Sequence, residues 1–325
     1  MINTKTNFNI TTCMITTVIC ILFVIFYVNN SFNSTLQYQN NLNIRKDQEY
    51  REMAKKTIEF INPMIKSITS FLTVSDYICK SDQEKVKLFK TANFERRSNK
   101  DLQSIFYKLI SNPVGGRCAN LQRFGGHYMD GCHYWDGHKF VCMPELINDI
   151  ENNECLVYSF GVSNDWSFER AMGDIGCKVL SFDPTVDHPK QLADNVWFEK
   201  LGLGTQKDEK RSLDSFSSIL HKNGHKNSKI SYLKIDIEGE EVNGLQHWFN
   251  SGALNNVQQI GMEYHLQNVK STVNFFKAIQ QLYLKSDFRL ISFDINGCYG
   301  KKHNDFPRLA EIVLMRSSEF SFCVD

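Results

Sequence analysis

From Cys155 onward, short strand-like segments alternate with helical patterns, and this alternation restricts the fold more than any other feature of the chain. Four of these segments are rich in β-branched and aromatic residues: Leu156–Phe160, Val179–Phe182, Ile230–Ile235 and Val257–Glu263. Strands that are joined through helices pair in parallel and carry those helices on the faces of the sheet. The sequence therefore predicts an α/β domain built on a parallel sheet.

Two further strands are predicted at the end of the chain, Phe288–Ile295 and Ala310–Arg316. The 14 residues between them include Gly297, Gly300 and Pro307 and show no helical pattern. A parallel crossover normally carries a helix, so these two strands are expected to be antiparallel neighbours. The predicted sheet is mostly parallel, with one antiparallel terminal strand.

The N-terminal segment is apolar enough to cross a bilayer. Residues 6–44 hold no charged side chain, and residues 10–28 are mostly Ile, Val, Phe and Leu. Nineteen helical residues reach roughly 28 Å, which is close to the thickness of a bilayer core. A short tail (1–9) and a transmembrane anchor (10–28) are therefore predicted, with a cleaved signal peptide or a buried core helix as the alternatives.

Residues 29–112 are predicted to form a stem with amphipathic helices. Apolar residues recur at three- and four-residue spacing in residues 46–72, and a second helix is expected at about residues 101–110. The remaining residues, 113–325, form the predicted domain. Eight of the ten cysteines lie outside the anchor, and an even number fits disulfide bonds in an oxidising compartment. The expected protein is a single-pass membrane protein of the ER or Golgi with a lumenal domain.

Residues 113–150 form a lead-in to the domain that is rich in cysteine and glycine. This lead-in also contains three histidines, but its cysteines and histidines lack the C-x-x-C and H-x-x-x-H spacing of structural zinc sites. A loop closed by disulfide bonds is expected instead, and no metal ligand is assigned. Across the chain, 37 Lys and Arg nearly balance 36 Asp and Glu. This balance leaves no excess of positive charge for binding phosphates, so nucleic acid is not an expected partner.

The segment from Tyr158 to Asp183 has the organisation of a nucleotide-binding turn. A strand ends just before Gly161, and Asp183 follows the next strand 22 residues later, where an acidic residue can grip ribose hydroxyls. Gly161 lacks the further glycines that a dinucleotide pyrophosphate needs, which favours S-adenosylmethionine over NAD. An ordinary strand-turn-helix is the alternative. The candidate cofactor-binding residues are Ser159, Gly161, Asp165, Asp183 and Gly204.

A second polar group follows two of the predicted strands. Asp236 lies at the carboxyl end of Ile230–Ile235, where open α/β sheets bind their ligands. His265 follows Val257–Glu263, and its ordinary pKa near neutrality suits removal of a proton from a hydroxyl. Asp236 and His265 are the candidate catalytic residues, with a structural role for the histidine as the alternative.

With these residues in order, the chain resembles the FkbM-type methyltransferases, and more closely the methyltransferase-like protein 24 group of animal proteins. The resemblance extends over about residues 118–316 and rests on the segments 125–126, 136–142, 158–162, 165–169, 176–177, 181–185, 233–241 and 263–265. It implies a Rossmann-like class I methyltransferase sheet and S-adenosylmethionine as the cofactor. It also implies methyl transfer to a hydroxyl of a small-molecule or glycan acceptor.

Two other functions stay open at this point. A type II glycosyltransferase-like enzyme would share the anchor topology and an acidic pair, Asp236 and Glu238. A non-catalytic binding module could also keep the methyltransferase fold.

Overall fold

The computed structural model describes residues 55, 56, 59, 82–94, 97–109, 118, 120–298 and 307–316. The chain divides into two units, residues 1–75 with 324–325 and residues 76–323, and all described residues from 82 onward lie in the second. The predicted anchor and most of the predicted helix at 46–72 fall outside the described residues. Within the described ranges, no helix has both the length and the apolar character for crossing a membrane.

The helices of the second unit that the structure describes are α1 (82–91), α2 (Asn99–Leu109), α3 (Met143–Glu151), α4 (Ser167–Asp174), α5 (Phe216–Lys222), α6 (Glu240–Asn250) and α7 (Val269–Lys285). Its strands are β1 (Leu121–Phe124), β2 (His127–Met129), β3 (Tyr134–Asp136), β4 (Lys139–Cys142), β5 (Leu156–Phe160), β6 (Lys178–Phe182), β7 (Gln191–Ala193), β8 (Val196–Glu199), β9 (Gly202–Gly204), β10 (Leu213–Ser215), β11 (Ile230–Ile235), β12 (Val257–His265), β13 (Phe288–Ile295) and β14 (Leu309–Arg316).

Eight strands form the central sheet in the order β13-β14-β12-β11-β5-β6-β8-β7. The five strands from β12 to β8 are parallel, whereas β14 runs antiparallel to both β12 and β13. The predicted parallel sheet and the antiparallel final pair are therefore confirmed. One correction concerns the opposite edge, where the short strand β7 also runs antiparallel. Its three residues, Gln191–Ala193, are too few to give a strand pattern in the sequence.

Alternate residues of β5 enter two different cores, because successive side chains of a strand point to opposite faces. Leu156, Tyr158 and Phe160 pack in the larger core with helices α1, α2, α5, α6 and α7. Val157 packs on the other face in a smaller core with α3 and α4. Every residue of β5 is buried, as expected for a parallel strand that is covered on both faces.

Helices α1 and α2, which the sequence placed in the stem, pack on the same core as the sheet. Phe94 stacks on Phe276 of α7 with ring centroids 5.3 Å apart, and Phe89 lies 4.7 Å from the ring of Tyr283. The predicted helix near 101–110 corresponds to α2.

The lead-in folds into two small hairpins, β1 with β4 and β2 with β3. Disulfide bonds join Cys118 to Cys142, Cys132 to Cys298 and Cys155 to Cys177. The prediction of a lead-in closed by disulfide bonds is therefore confirmed. The bond to Cys298 ties the second hairpin to the residues that follow β13, so the lead-in is held over the sheet.

Candidate active site

The register of the central sheet places three carboxylate residues and one glycine side by side. Phe160 at the end of β5 pairs with the last residues of both β6 and β11, and Ile235 of β11 pairs with Met262 of β12. The next residue along each strand therefore lies at the same carboxyl edge. In spatial order these residues are Asp183, Gly161, Asp236 and Glu263.

Gly161 occupies a position that no other residue fits. Its φ of +83° lies in the left-handed region, and an added Cβ would overlap the backbone carbonyl of Asp236. Its amide donates to the Phe182 carbonyl at 2.9 Å, and its own carbonyl accepts from Lys234 Nζ at 2.7 Å. The turn therefore packs the Gly161 backbone directly against the Asp236 backbone at the carboxyl edge of the sheet.

The carboxylate of Asp183 is held beside this turn. Its Oδ2 accepts from the Ser163 amide at 2.9 Å, and its Oδ1 accepts from the amide and hydroxyl of Thr185 at 2.8 and 2.6 Å. Burial raises the pKa of Asp183, but these hydrogen bonds outweigh burial and hold the pKa below its usual value. Asp183 is therefore an oriented anion with lone pairs left for ribose hydroxyls.

The other three predicted cofactor residues already bind protein groups. The Ser159 hydroxyl is fully buried and donates to Glu169 Oε1 at 2.5 Å. Asp165 accepts from the Ser167 amide at 3.0 Å and lies 3.0 Å from His127 Nδ1. The Gly204 carbonyl accepts from Trp248 Nε1 at 2.9 Å. The Ser159 side chain lies between β5 and α4, because strand alternation directs it to the face of the sheet that α4 covers.

The part of the edge formed by β12, β14 and β13 is unusually acidic. Glu263 on β12 lies directly opposite Glu311 on β14, which in turn lies opposite Asp294 on β13. Like charges at such positions repel each other. Burial and the charge of Asp236 raise the pKa of Glu263 to about 7 and contribute to raising that of Glu311 to about 8.

Lys139 brings a buried cation from the lead-in into this acidic row. Its Nζ lies 2.6 Å from Glu311 Oε1 and 3.1 Å from Asp236 Oδ2, and its side chain is only 1% exposed. Burial raises the pKa of Asp236, but Lys139 outweighs burial and keeps the pKa below its usual value. The lead-in thereby contributes a charge to the site as well as covering the sheet.

His265 is fixed by a carboxylate from α6. Glu241, which is fully buried, accepts from the His265 backbone amide at 2.7 Å and lies 3.1 Å from Nδ1. The other ring nitrogen, Nε2, lies 3.6 Å from Glu263 Oε2. Burial lowers the pKa of His265, but the Glu241 carboxylate outweighs it and contributes to raising the pKa to about 9. The imidazole thus has a set orientation with Nε2 toward the edge.

Asp236, Glu263 and His265 each offer one atom that can bind a metal, and these three atoms lie within 4.8 Å of one another. The sequence assigned no metal ligand, and it also missed Lys139 and Glu311 as site residues. Glu241 could be interpreted from the sequence either as a site residue or as a carboxylate that the start of a helix favours. The two missed residues left a signal. Lys139 and Glu311 are each the only charged residue inside an otherwise apolar stretch of a strand, at 139–142 and 309–315.

A family model described as "Methyltransferase domain" matches residues 65–296. The chain is similar to the human "Probable methyltransferase-like protein 24", with 30% identity over 172 residues, 46% of this chain and 46% of that protein. The rat protein of the same description is 29% identical over 172 residues, 46% of this chain and 47% of that protein. These alignments extend over about half the length of the curated relatives. The predicted resemblance is confirmed, and the chain belongs to the methyltransferase domain family.

Proposed function

We propose that this methyltransferase uses S-adenosylmethionine to methylate a hydroxyl of a glycan or other small acceptor. The row of residues at the carboxyl edge carries this proposal. Gly161 and Asp183 lie on one side of Asp236, and Glu263 and His265 lie on the other side. We call the side with Gly161 and Asp183 the cofactor half and the side with Glu263 and His265 the acceptor half. The two halves meet at Asp236.

The residues of the cofactor half fit S-adenosylmethionine. Bound there, this cofactor supplies an electrophilic methyl group carried by a positively charged sulfonium. Gly161 lets the turn after β5 pack directly against the Asp236 backbone, where an added Cβ would overlap the Asp236 carbonyl. Asp183 offers an oriented carboxylate for the ribose hydroxyls. Gly202 at the start of β9 packs against Pro184, the residue after Asp183, and Gly204 at the end of the same strand is assigned to the proposed adenine side.

On the acceptor half, the chain's own groups orient a hydroxyl and receive its proton. The Asp236 side chain is 18% exposed, so its carboxylate can accept a hydrogen bond from an acceptor at the edge. Glu263 lies on the far side of Asp236 within the same cluster and can take up the proton that Asp236 receives, because burial and the charge of Asp236 raise the pKa of Glu263 to about 7. His265, whose pKa is raised to about 9, is protonated at neutral pH and acts there as a positive charge beside the carboxylates. Alignment of the acceptor oxygen at the edge supplies much of the rate.

The proposal includes a lumenal location with the chain anchored through residues 10–28. The three disulfide bonds of the domain support an oxidising compartment. A glycan acceptor is consistent with such a compartment.

Asp236→Asn is expected to lower methyl transfer by about 100-fold or more, because the amide cannot receive a proton. Transfer of tritiated methyl from S-adenosylmethionine to a mixture of glycan and hydroxyl acceptors measures this loss. Cofactor affinity should change less than about threefold, which corresponds to less than about 0.7 kcal/mol of binding free energy. The proposal gives Asp236 a role toward the acceptor, so its substitution should have little effect on cofactor binding. Glu240→Gln, which removes a surface partner of Arg211, is the control. Full transfer by Asp236→Asn would favour a different proton acceptor.

Asp183→Asn is expected to weaken S-adenosylmethionine binding by about 10- to 100-fold. A hydrogen bond to a charged group is worth about 1.5–3 kcal/mol, and the amide keeps only one acceptor oxygen. Calorimetric titration of the cofactor measures the change. Asp187→Asn is the matched control, because Asp187 lies in the same loop but is exposed and paired with Lys200. Equal affinities for the two variants would rule out the ribose role of Asp183.

A further inference from the structure

We propose that Asp236, Glu263 and His265 bind a divalent metal ion at the carboxyl edge of the sheet. We also propose that the bound ion holds the acceptor hydroxyl, and this second step rests on the proposed function. The binding of the ion is independent of the proposed function.

The geometry of the three side chains suits one ion. Their ligand atoms lie within 4.8 Å of one another, and atoms that share an ion at about 2.0–2.2 Å are separated by up to about 4.4 Å. Small side-chain movements therefore complete the site. Asp236 is the most exposed of the three, so the open coordination positions face the cleft. Two carboxylates and one imidazole suit a first-row divalent ion such as Mn²⁺.

His265 already has the hydrogen bond that orients a metal-binding histidine. Such histidines use one ring nitrogen for the ion and donate from the other to a carboxylate or carbonyl. Here Nδ1 donates to the fully buried Glu241, which leaves Nε2 3.6 Å from the Glu263 carboxylate. Glu241 itself is fixed by two backbone amides, those of Gly239 and His265, so the direction of the imidazole ring is fixed as well.

Two buried polar atoms beside the cluster point to a ligand independently of this geometry. Glu311 Oε2 and the Tyr134 hydroxyl are buried and have no hydrogen-bond partner among the described residues. Glu311 lies directly opposite Glu263 on the neighbouring strand, and the charges of Glu311 and Glu263 both act on the Tyr134 hydroxyl. Buried polar atoms in proteins almost always have a partner. A metal ion with its bound water would supply partners to both atoms.

The charges of the cluster also favour a divalent cation. The carboxylates of Asp236, Glu263 and Glu311 lie around the Lys139 ammonium. Two other nearby cations each have their own carboxylate partner, His265 with Glu241 and Lys234 with Glu169. With all these groups ionised, the negative charges outnumber the positive charges by two at a largely buried position. Buried charges in proteins are paired or bind metals. A divalent ion offsets the excess.

Titration of Mn²⁺ into the chelator-treated full chain, followed by the electron paramagnetic resonance signal of free Mn²⁺, tests the inference. The expected result is one bound ion per chain. Binding should weaken at least about 10-fold in Glu263→Gln and in His265→Asn. Glu240→Gln, at the start of α6 and paired with Arg211 at the surface, should bind within about twofold of the unaltered chain.

A second readout needs no variant. Bound Mn²⁺ is paramagnetic and should broaden the imidazole resonances of His265 before those of His221, which lies on α5. The inference is overturned if the unaltered chain leaves millimolar Mn²⁺ free, or if Mn²⁺ broadens both histidines equally. Titrating S-adenosylmethionine into the metal-free chain separates the two proposals. If the chain binds the cofactor but not Mn²⁺, only the proposed metal site is contradicted. If it binds Mn²⁺ but not the cofactor, only the proposed function is contradicted.

Discussion

Replacing Gly161 with alanine is expected to destabilise the domain by about 3 kcal/mol or more and to abolish cofactor binding. The left-handed backbone alone costs an alanine about 1–2 kcal/mol. The added methyl would also overlap the Asp236 carbonyl, and overpacking of this kind costs about 1–3 kcal/mol. Relief requires β5 and β11 to separate at their carboxyl ends, which is where the cofactor half of the site lies.

Gly224→Ala is the matched control for this variant. Gly224 has a φ of +75°, close to that of Gly161, but a Cβ there meets no described atom within 4 Å. It therefore carries the backbone penalty without the overlap. Denaturant unfolding and cofactor titration on both variants measure the difference. If Gly161→Ala is no less stable than Gly224→Ala and still binds the cofactor, the close approach at this turn has no functional role.

Lys139→Met is expected to cost about 3–5 kcal/mol of unfolding free energy, because it leaves buried carboxylates without their cation. The Lys139 ammonium lies 2.6 Å from Glu311 and 3.1 Å from Asp236, and methionine fills a similar volume without the charge. Denaturant unfolding in the presence of a chelator measures the loss, since a bound metal ion would offset it.

Lys200→Met is the control, because Lys200 pairs with Asp187 at the surface, where such a pair is worth about 0–1 kcal/mol. Adding Glu311→Gln to Lys139→Met should recover part of the loss, since one of the uncompensated charges is then removed. A Lys139→Met chain that is as stable as Lys200→Met would show that the acidic row does not depend on this lysine.

Strong local patterns in the sequence were enough to predict most of the sheet. The predicted bounds of Leu156–Phe160, Ile230–Ile235 and Phe288–Ile295 match β5, β11 and β13. The antiparallel direction of β14 followed from the lack of a helix before it. Gly161 and Asp183 were found by their spacing, because both lie at strand ends and the register then brings them together.

The acceptor half was less accessible from the sequence. Lys139 and Glu311 are 172 residues apart, and only the folded sheet with its lead-in brings them into contact. Glu263 was recognised as the end of a strand, but its position opposite Glu311 depends on the register of β12 with β14. The metal-ligand group likewise joins residues from two strand ends. Ser159 was predicted as a cofactor residue from its position near the end of β5, but its burial and its hydrogen bond to Glu169 became visible only in the structure.

Calorimetric titration of S-adenosylmethionine into the full chain tests the central claim most directly. A parallel titration with a UDP-sugar and Mn²⁺ tests the glycosyltransferase alternative. The proposed function predicts that one S-adenosylmethionine binds per chain and that the UDP-sugar does not bind. Binding of the UDP-sugar without binding of S-adenosylmethionine would contradict it.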